Sequence, residues 1–117
     1  MNEPSREDKA AAAKVRMSEL AARFLVRTQA DIVTLRQAIE RLATGESAAL
    51  GEIRHLAHRM VGTGATLGFE FISERAATLE RLTESVIPGA SADAGLRARL
   101  AAALDALDSE LRQKHSS

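Results

Sequence analysis

Residues 17–42, MSELAARFLVRTQADIVTLRQAIERL, give the clearest indication of the protein's architecture. At about 100° per residue, the apolar side chains of this stretch fall on one stripe less than about 130° wide, and the stripe neither drifts nor breaks. The stretch therefore predicts one long amphipathic helix over about residues 18–43, with Gly45 as a left-handed stop. The stripe consists of Met17, Leu20, Phe24, Thr28, Ile32, Leu35, Ile39 and Leu42.

The Ala-rich segment upstream, residues 10–13, leaves two arrangements open. Either the long helix extends back through it, or a short extra helix lies there. We expect residues 1–5 and 114–117 to be frayed, which leaves a core over about residues 18–113.

Three more helices are predicted downstream. Ser47 is a suitable N-cap for the second, which runs to about Gly64 or Leu67. A bend near residues 64–69 leads to the third, over about residues 70–86. The predicted inward side chains of these two helices are Leu50, Ile53, Ala57, Met60, Val61 and Gly64, then Ile72, Ala76, Leu79, Leu82 and Val86.

The pair Pro88-Gly89 breaks the chain before the last helix. That helix is predicted over about residues 92–113. Its expected inward side chains are Leu96, Leu100, Ala103, Leu107 and Leu111.

The composition supports an all-α protein. The chain has only two Pro and no Tyr or Trp, and no alternating strand pattern occurs. Short connections make neighbouring helices antiparallel, so we expect an antiparallel up-down-up-down four-helix bundle. A length of 117 residues fits a single domain, 1–117, and leaves little room for a second.

Charge and composition exclude several function classes. Lys plus Arg equals Asp plus Glu at 16 each, so neither nucleic acid nor an anionic membrane is expected as a bulk partner. The chain has no Cys, which excludes thiol nucleophiles, disulfides and Cys-based zinc sites. No apolar run approaches the roughly 20 residues of a membrane span, and the charged N-terminus lacks a signal-peptide block. We expect a soluble, cytoplasmic protein.

His58 is the residue that a plain bundle does not require. It lies about 130° from the centre of its helix's apolar stripe, at the edge of the core or on the surface. The residues one and two turns away on its face are Gly51, Arg54, Gly62 and Ala65. Because three of these four are very small, another protein can approach the ring closely.

Two helical glycines follow His58, each costing about 1 kcal/mol relative to Ala. Gly64 lies on the inner stripe, where close packing of helices explains it. Gly62 points outward near His58, where packing explains it less well.

Imidazole is suited to carrying a phosphoryl group. Its ordinary pKa of about 6.5 leaves the ring mostly neutral at neutral pH, with one nitrogen lone pair free to attack phosphorus. The transfer then needs positioning and charge neutralisation more than covalent chemistry by the protein.

Residues 57–68, AHRMVGTGATLG, resemble the signature of the histidine-containing phosphotransfer (HPt) family. That signature is roughly A-H-x-L-K-G-S-[AS]-x-x-L-G, followed by a helix that ends in L-E, here Leu79-Glu80. The resemblance covers about residues 18–84, and the last helix completes the bundle.

The resemblance implies that His58 accepts a phosphoryl group from a receiver-domain aspartyl phosphate and passes it to another receiver domain. Gly62 would be the gap that admits the receiver. The chain would be a monomeric phosphocarrier without kinase or phosphatase activity, would bind no cofactor, and would use Mg²⁺ supplied by the receiver. The expected docking surface comprises Arg54, His55, Arg59, Gly62, Ala65 and Phe69, and core packing is an equal explanation for Phe69.

One position departs from the family. Three residues after the histidine the family often has Lys, which is thought to favour the phosphorylated ring, and here Val61 stands there. We hypothesise that Arg54, one turn before His58, supplies the missing charge, with Arg59 a weaker candidate because it points about 100° away. An ordinary solvated charge is the alternative for both arginines. A receiver-binding protein without phosphotransfer is the alternative function.

Two other interpretations are less favoured. Glu52, His55 and His58 suggest a metal site, but they fan about 60° apart and no second Glu-x-x-His occurs, although Glu70 and Glu74 could add carboxylates. A dimeric phosphotransfer hairpin is disfavoured by four helices in one chain. No hydrolase triad spacing occurs, and His115 is interpreted as incidental.

Overall fold

A computed structural model describes residues 3–86 and 91–116, with side chains through residue 113. These residues form four α-helices and no strand, which confirms the all-α prediction. None of the described helices is long and apolar enough to cross a membrane. The predicted break at Pro88-Gly89 lies outside the described residues. The helices are α1 (Arg6–Ala43), α2 (Ala49–Thr66), α3 (Glu70–Glu84) and α4 (Ala94–Ser116).

The Ala-rich segment is the beginning of α1 and not a separate helix. A capping box starts α1: Asp8 N–H donates to Ser5 Oγ at 3.0 Å, and Ser5 N–H donates to the Asp8 carboxylate at 3.2 Å. Every residue from Glu3 to Leu20 is exposed. The prediction that Met17 and Leu20 point into the core is therefore wrong, because α1 extends about four turns beyond the part of the bundle that would cover them.

The cross-helix contacts show how the helices neighbour each other. Helix α2 packs on α1 and α3, and α4 packs on the same two helices. Arg59 pairs with Asp31 and Arg41 pairs with Glu52, so the contacts run in opposite order along α1 and α2, as expected of antiparallel neighbours. The direction of α4, and with it the complete up-down-up-down order, stays a prediction.

The core is built from the predicted stripes with small differences of rotation. Leu104 is fully buried, whereas Ala103, predicted inward, is only half-buried. At the start of α2, Ala49 takes the buried position and Leu50 is half-buried. The buried hydroxyl of Thr28 donates to the Phe24 carbonyl at 2.8 Å, so this polar group is satisfied inside the core.

Local hydrogen bonds, not hydrophobic period, set three helix ends. The prediction of Ser47 as an N-cap is wrong: α2 follows Ala48 without a side-chain cap, because turn bonds such as Ala49 N–H to the Glu46 carbonyl satisfy the first amides. Helix α3 ends two residues earlier than predicted, where the Ser85 hydroxyl donates to the Leu82 carbonyl. Helix α4 begins after Asp93, whose carboxylate accepts from Leu96 N–H at 2.7 Å.

At its other end α4 continues past the predicted limit at residue 113. The backbone is helical through Ser116, and the fraying expected of residues 114–117 stays a prediction. Arg36 ties α4 to α1 by binding Asp105 at 2.7 Å and Asp108 at 3.1 Å. Hydrogen bonds from Arg112 and then Arg36 hold the pKa of Asp108 below its ordinary value.

Candidate functional site

His58 lies on a ridge of α2 between two surface grooves. Its side chain is 77% exposed, as the helical wheel predicts. Its Nδ1 lies 2.6 Å from Oε2 of Glu80 on α3, and the Glu80 side chain is only 18% exposed. The ring is thus accessible to a partner and at the same time held from one side by a carboxylate that is largely shielded from water.

This contact distinguishes the two ring nitrogens of His58. An ionised carboxylate only accepts hydrogen bonds, so Nδ1 of His58 is the donor and carries the proton. In the neutral ring the lone pair is then on Nε2, which has no hydrogen-bond partner among the described residues. The arrangement leaves Nε2 as the accessible ring nitrogen and places a carboxylate beside Nδ1.

The close approach of α2 and α3 holds Glu80 opposite His58. The Ser73 hydroxyl on α3 donates to the Val61 carbonyl at 2.9 Å, one turn beyond His58. A Cβ added at Gly64 would lie 3.2 Å from Ser73 N and 3.3 Å from the Phe69 carbonyl oxygen. Close packing thus accounts for Gly64, as predicted, and it fixes the register between the two helices.

Gly62 has the opposite environment, because a Cβ added there would meet nothing within 4 Å. We expect Gly62→Ala to raise the free energy of unfolding by about 1 kcal/mol through helix propensity alone. We expect Gly64→Ala to lower it by about 1–2 kcal/mol, because the new methyl group presses on backbone atoms that cannot swing aside. Urea denaturation of the two variants beside the wild type measures both changes, and equal stabilisation by both would contradict the packing role of Gly64.

The α1–α2 groove lies on one side of His58 and encloses about 910 Å³. Leu20, Arg27 and Gly62 are among the residues that line it. Arg59 also lines this groove, and its guanidinium binds the Asp31 carboxylate at 3.1 and 3.3 Å. Of the expected docking residues, Gly62 is therefore open to a partner and Arg59 already has one within the chain.

The α2–α3 groove lies on the other side and encloses about 430 Å³. Arg54, His55 and Glu84 line it beside His58 and Glu80. Within the described part of the chain Arg54 forms no ion pair, so its charge is available near the histidine.

The last two expected docking residues differ in exposure. Ala65 is exposed at the end of α2. Phe69 is half-buried, with its ring stacked on Phe24 at 5.7 Å between centroids and edge-on to Phe71 at 6.3 Å. Core packing, the alternative given for Phe69, accounts for its position.

Sequence reasoning missed the role of Glu80. The Leu79-Glu80 pair is part of the HPt resemblance, but nothing in the residues alone indicates that this carboxylate reaches across to His58. The metal interpretation gains no support, since Glu52 is bound by Arg41 and the described residues contain no group of three potential ligands that could hold a metal ion.

An exposed histidine on a helical bundle, with one ring nitrogen bound to a carboxylate and the other without a partner among the described residues, fits the chemistry of phosphoryl carriage. The family model described as "Hpt domain" matches residues 19–112 of the 117, and the chain therefore belongs to the Hpt domain family. Hpt domains are phosphocarrier modules that interact with receiver domains in two-component phosphorelays. Searches of curated proteins and of solved structures returned no match.

Proposed function

We propose that this chain is a phosphorelay intermediate that accepts a phosphoryl group on Nε2 of His58 from one receiver domain and donates it to another. The observation that carries the proposal is the His58–Glu80 contact of 2.6 Å, which leaves Nε2 as the free nitrogen of a highly exposed ring. The absence of a Cβ at Gly62, one turn along the same face, supports it by leaving room for the receiver.

In the forward step the Nε2 lone pair attacks the phosphorus of the receiver's aspartyl phosphate. The Nε2–P bond forms, the P–O bond to the aspartate breaks, and the aspartate leaves as a carboxylate. The ring becomes a phosphorylated imidazolium whose Nδ1–H remains bonded to Glu80, so the two opposite charges offset each other. The reverse step regenerates neutral His58. Mg²⁺, in this proposal, belongs to the receiver and neutralises the phosphoryl oxygens.

The test is a transfer assay with the full chain. Phosphorylated receiver domains and Mg²⁺ are mixed with the protein, and the label on the protein is examined for the acid lability and base stability of phosphohistidine. Label that appears on the chain and moves to a second receiver supports the proposal. If a panel of receiver domains binds the folded chain and none of them labels it, the result would favour the alternative, a receiver-binding protein without phosphotransfer.

That alternative derives from Val61, which stands where the family often has Lys. Val61 is half-buried against the core, and its carbonyl accepts the Ser73 hydroxyl, so the position serves packing in this chain. A carrier built this way needs its positive charge from elsewhere on the surface.

We expect Arg54 to supply part of that charge. A unit charge about 4 Å from another contributes about 1 kcal/mol in water, so Arg54→Ala should lower the equilibrium constant for phosphorylation of His58 by about fivefold. The measurement is the labelled fraction at equilibrium with one receiver. Arg99→Ala, an exposed arginine on α4, is the matched control. A yield equal to that of the control would show that Arg54 is an ordinary surface charge.

A further inference from the structure

Beside His58, the α1–α2 groove places one carboxylate between two arginines. Arg59 Nη2 on α2 lies 3.1 Å and 3.3 Å from the two carboxylate oxygens of Asp31 on α1. Arg27 lines the same groove one turn before Asp31 on α1, and it forms no ion pair within the described residues. Two cations therefore share a single carboxylate, and one of them is in excess.

Arg59 binds Asp31 in the structure, but Arg27 is placed to replace it. Side chains four residues apart on a helix are neighbours, with Cβ atoms about 5–6 Å apart, so the Arg27 guanidinium can reach the Asp31 carboxylate. A basic residue before the acid is the weaker of the two orders on a helix, which accounts for Arg59 as the partner in the unmodified chain. The Asp31 side chain is only 13% exposed, so loss of Arg59 without a replacement would leave a largely buried charge unpaired. Exchange of Asp31 from Arg59 to Arg27 avoids that cost.

Phosphorylation of His58 would create a competitor for Arg59. A phosphoryl group brings negative charge and three acceptor oxygens, which a guanidinium binds bidentately. His58 and Arg59 are consecutive residues, with Cα atoms about 3.8 Å apart, and both line the α1–α2 groove. Because Nδ1 of His58 faces Glu80 on α3, Nε2 lies on the edge of the ring away from α3. A phosphoryl group on Nε2 is therefore directed away from α3, and Arg59 is an arginine on that side of α2.

We infer that Asp31 is a positioning residue for phosphoryl transfer. It holds Arg59 in the unphosphorylated chain and releases it to the phosphoryl group on His58. Arg27 then takes the place of Arg59, so the carboxylate stays paired. The inference rests on the proposed function and deepens it, because it names a source of the positive charge that Val61 does not supply. The cation is withheld from the free ring and offered to the phosphorylated one.

A double-mutant cycle tests the role of Asp31 in the full chain. The equilibrium constant for phosphorylation of His58 is measured against one phosphorylated receiver, and circular dichroism checks that each variant is folded. We expect Arg59→Ala to lower this constant and Asp31→Asn to raise it, each about fivefold, which is the effect of a unit charge at close range in water. In the Arg59→Ala background, Asp31→Asn should change the constant less than about twofold, since the carboxylate then has no cation to withhold.

A second cycle tests the exchange with Arg27. Arg27→Ala should lower the equilibrium constant about fivefold in the wild-type chain and less than about twofold in the Asp31→Asn background. Arg23→Ala is the matched control, because Arg23 lines the same groove one turn earlier on α1 and pairs with Glu19 at 3.9 Å. It should stay within about twofold of wild type. An equal loss from Arg27→Ala with and without Asp31 would overturn the exchange, since Arg27 would then act on the phosphoryl group directly.

A spectroscopic measurement separates this inference from the proposed function. Phosphoramidate, a small-molecule phosphoryl donor, is used to phosphorylate the chain without a receiver, and nitrogen-15 NMR follows the guanidinium Nε–H signals of Arg27 and Arg59. We expect both signals to shift on phosphorylation of wild type, and only the Arg59 signal to shift in Asp31→Asn.

The outcomes of the two measurements differ. If receivers bind but never label the chain, while phosphoramidate shifts both arginine signals, the phosphotransfer proposal fails and the exchange stands. If receivers label the chain and neither signal shifts, the exchange is overturned and the phosphotransfer proposal stands. A chain that neither phosphoramidate nor any receiver phosphorylates would overturn both, because the exchange requires phosphohistidine.

Discussion

His58→Gln is expected to abolish phosphoryl label on the chain completely, while the variant keeps the fold and still binds receivers. Glutamine has similar length and polarity but no ring nitrogen with a free lone pair, so it cannot form the N–P bond. Because the His58 side chain is 77% exposed, its replacement removes no core packing, and thermal unfolding should shift little. The measurement is the label after incubation with a phosphorylated receiver.

His55→Gln is the matched control, since His55 lies on the same helix one turn earlier and lines the same α2–α3 groove. It lacks a contact comparable to the His58–Glu80 bond among the described residues, so wild-type labelling is expected. Label that persists on His58→Gln and disappears from His55→Gln would show that the phosphoacceptor is His55 and not His58. Label on both single variants would mean that neither histidine is the sole acceptor.

Replacement of Glu80 should give the second largest effect. Glu80→Ala removes the acceptor at 2.6 Å, so the ring can adopt either tautomer and rotate, and the negative charge that offsets the imidazolium is lost. Removing a carboxylate that orients a histidine typically costs about 10–100-fold where the histidine binds a metal. We expect the transfer rate to fall by roughly the same factor, measured by rapid-quench kinetics at saturating receiver.

Two further variants separate orientation from general electrostatics. Glu80→Gln keeps a carbonyl oxygen that can accept from Nδ1 but loses the charge, so its rate should lie between wild type and Glu80→Ala. Glu84→Ala removes a carboxylate from the same groove without a bond to His58, and should change the rate less than about twofold. If Glu84→Ala slows transfer as much as Glu80→Ala, the transfer rate depends on the net charge of the groove and not on the specific contact between Glu80 and His58.

The local pattern was sufficient for the helices and for the position of the histidine. A stripe of period 3.6 places Leu35 inside and His58 outside without knowledge of neighbouring helices, because the period alone determines which residues lie on the same face of a helix. The family signature around His58 and Gly62 is likewise local. The hydrophobic pattern did not predict the helix ends correctly, because individual hydrogen bonds at Asp93 and Ser85 set those ends.

Four amphipathic helices, an exposed histidine on the second and the resemblance to a phosphocarrier family all follow from the amino-acid sequence without a structure. The contact of Glu80 with His58 Nδ1 is visible only in the folded protein, because the two residues are 22 positions apart and meet through the packing of α2 on α3 at Gly64. The exposure of Met17 and Leu20 is likewise visible only in the folded protein. A helical period states which face is apolar, whereas burial depends on whether another element reaches that part of the helix.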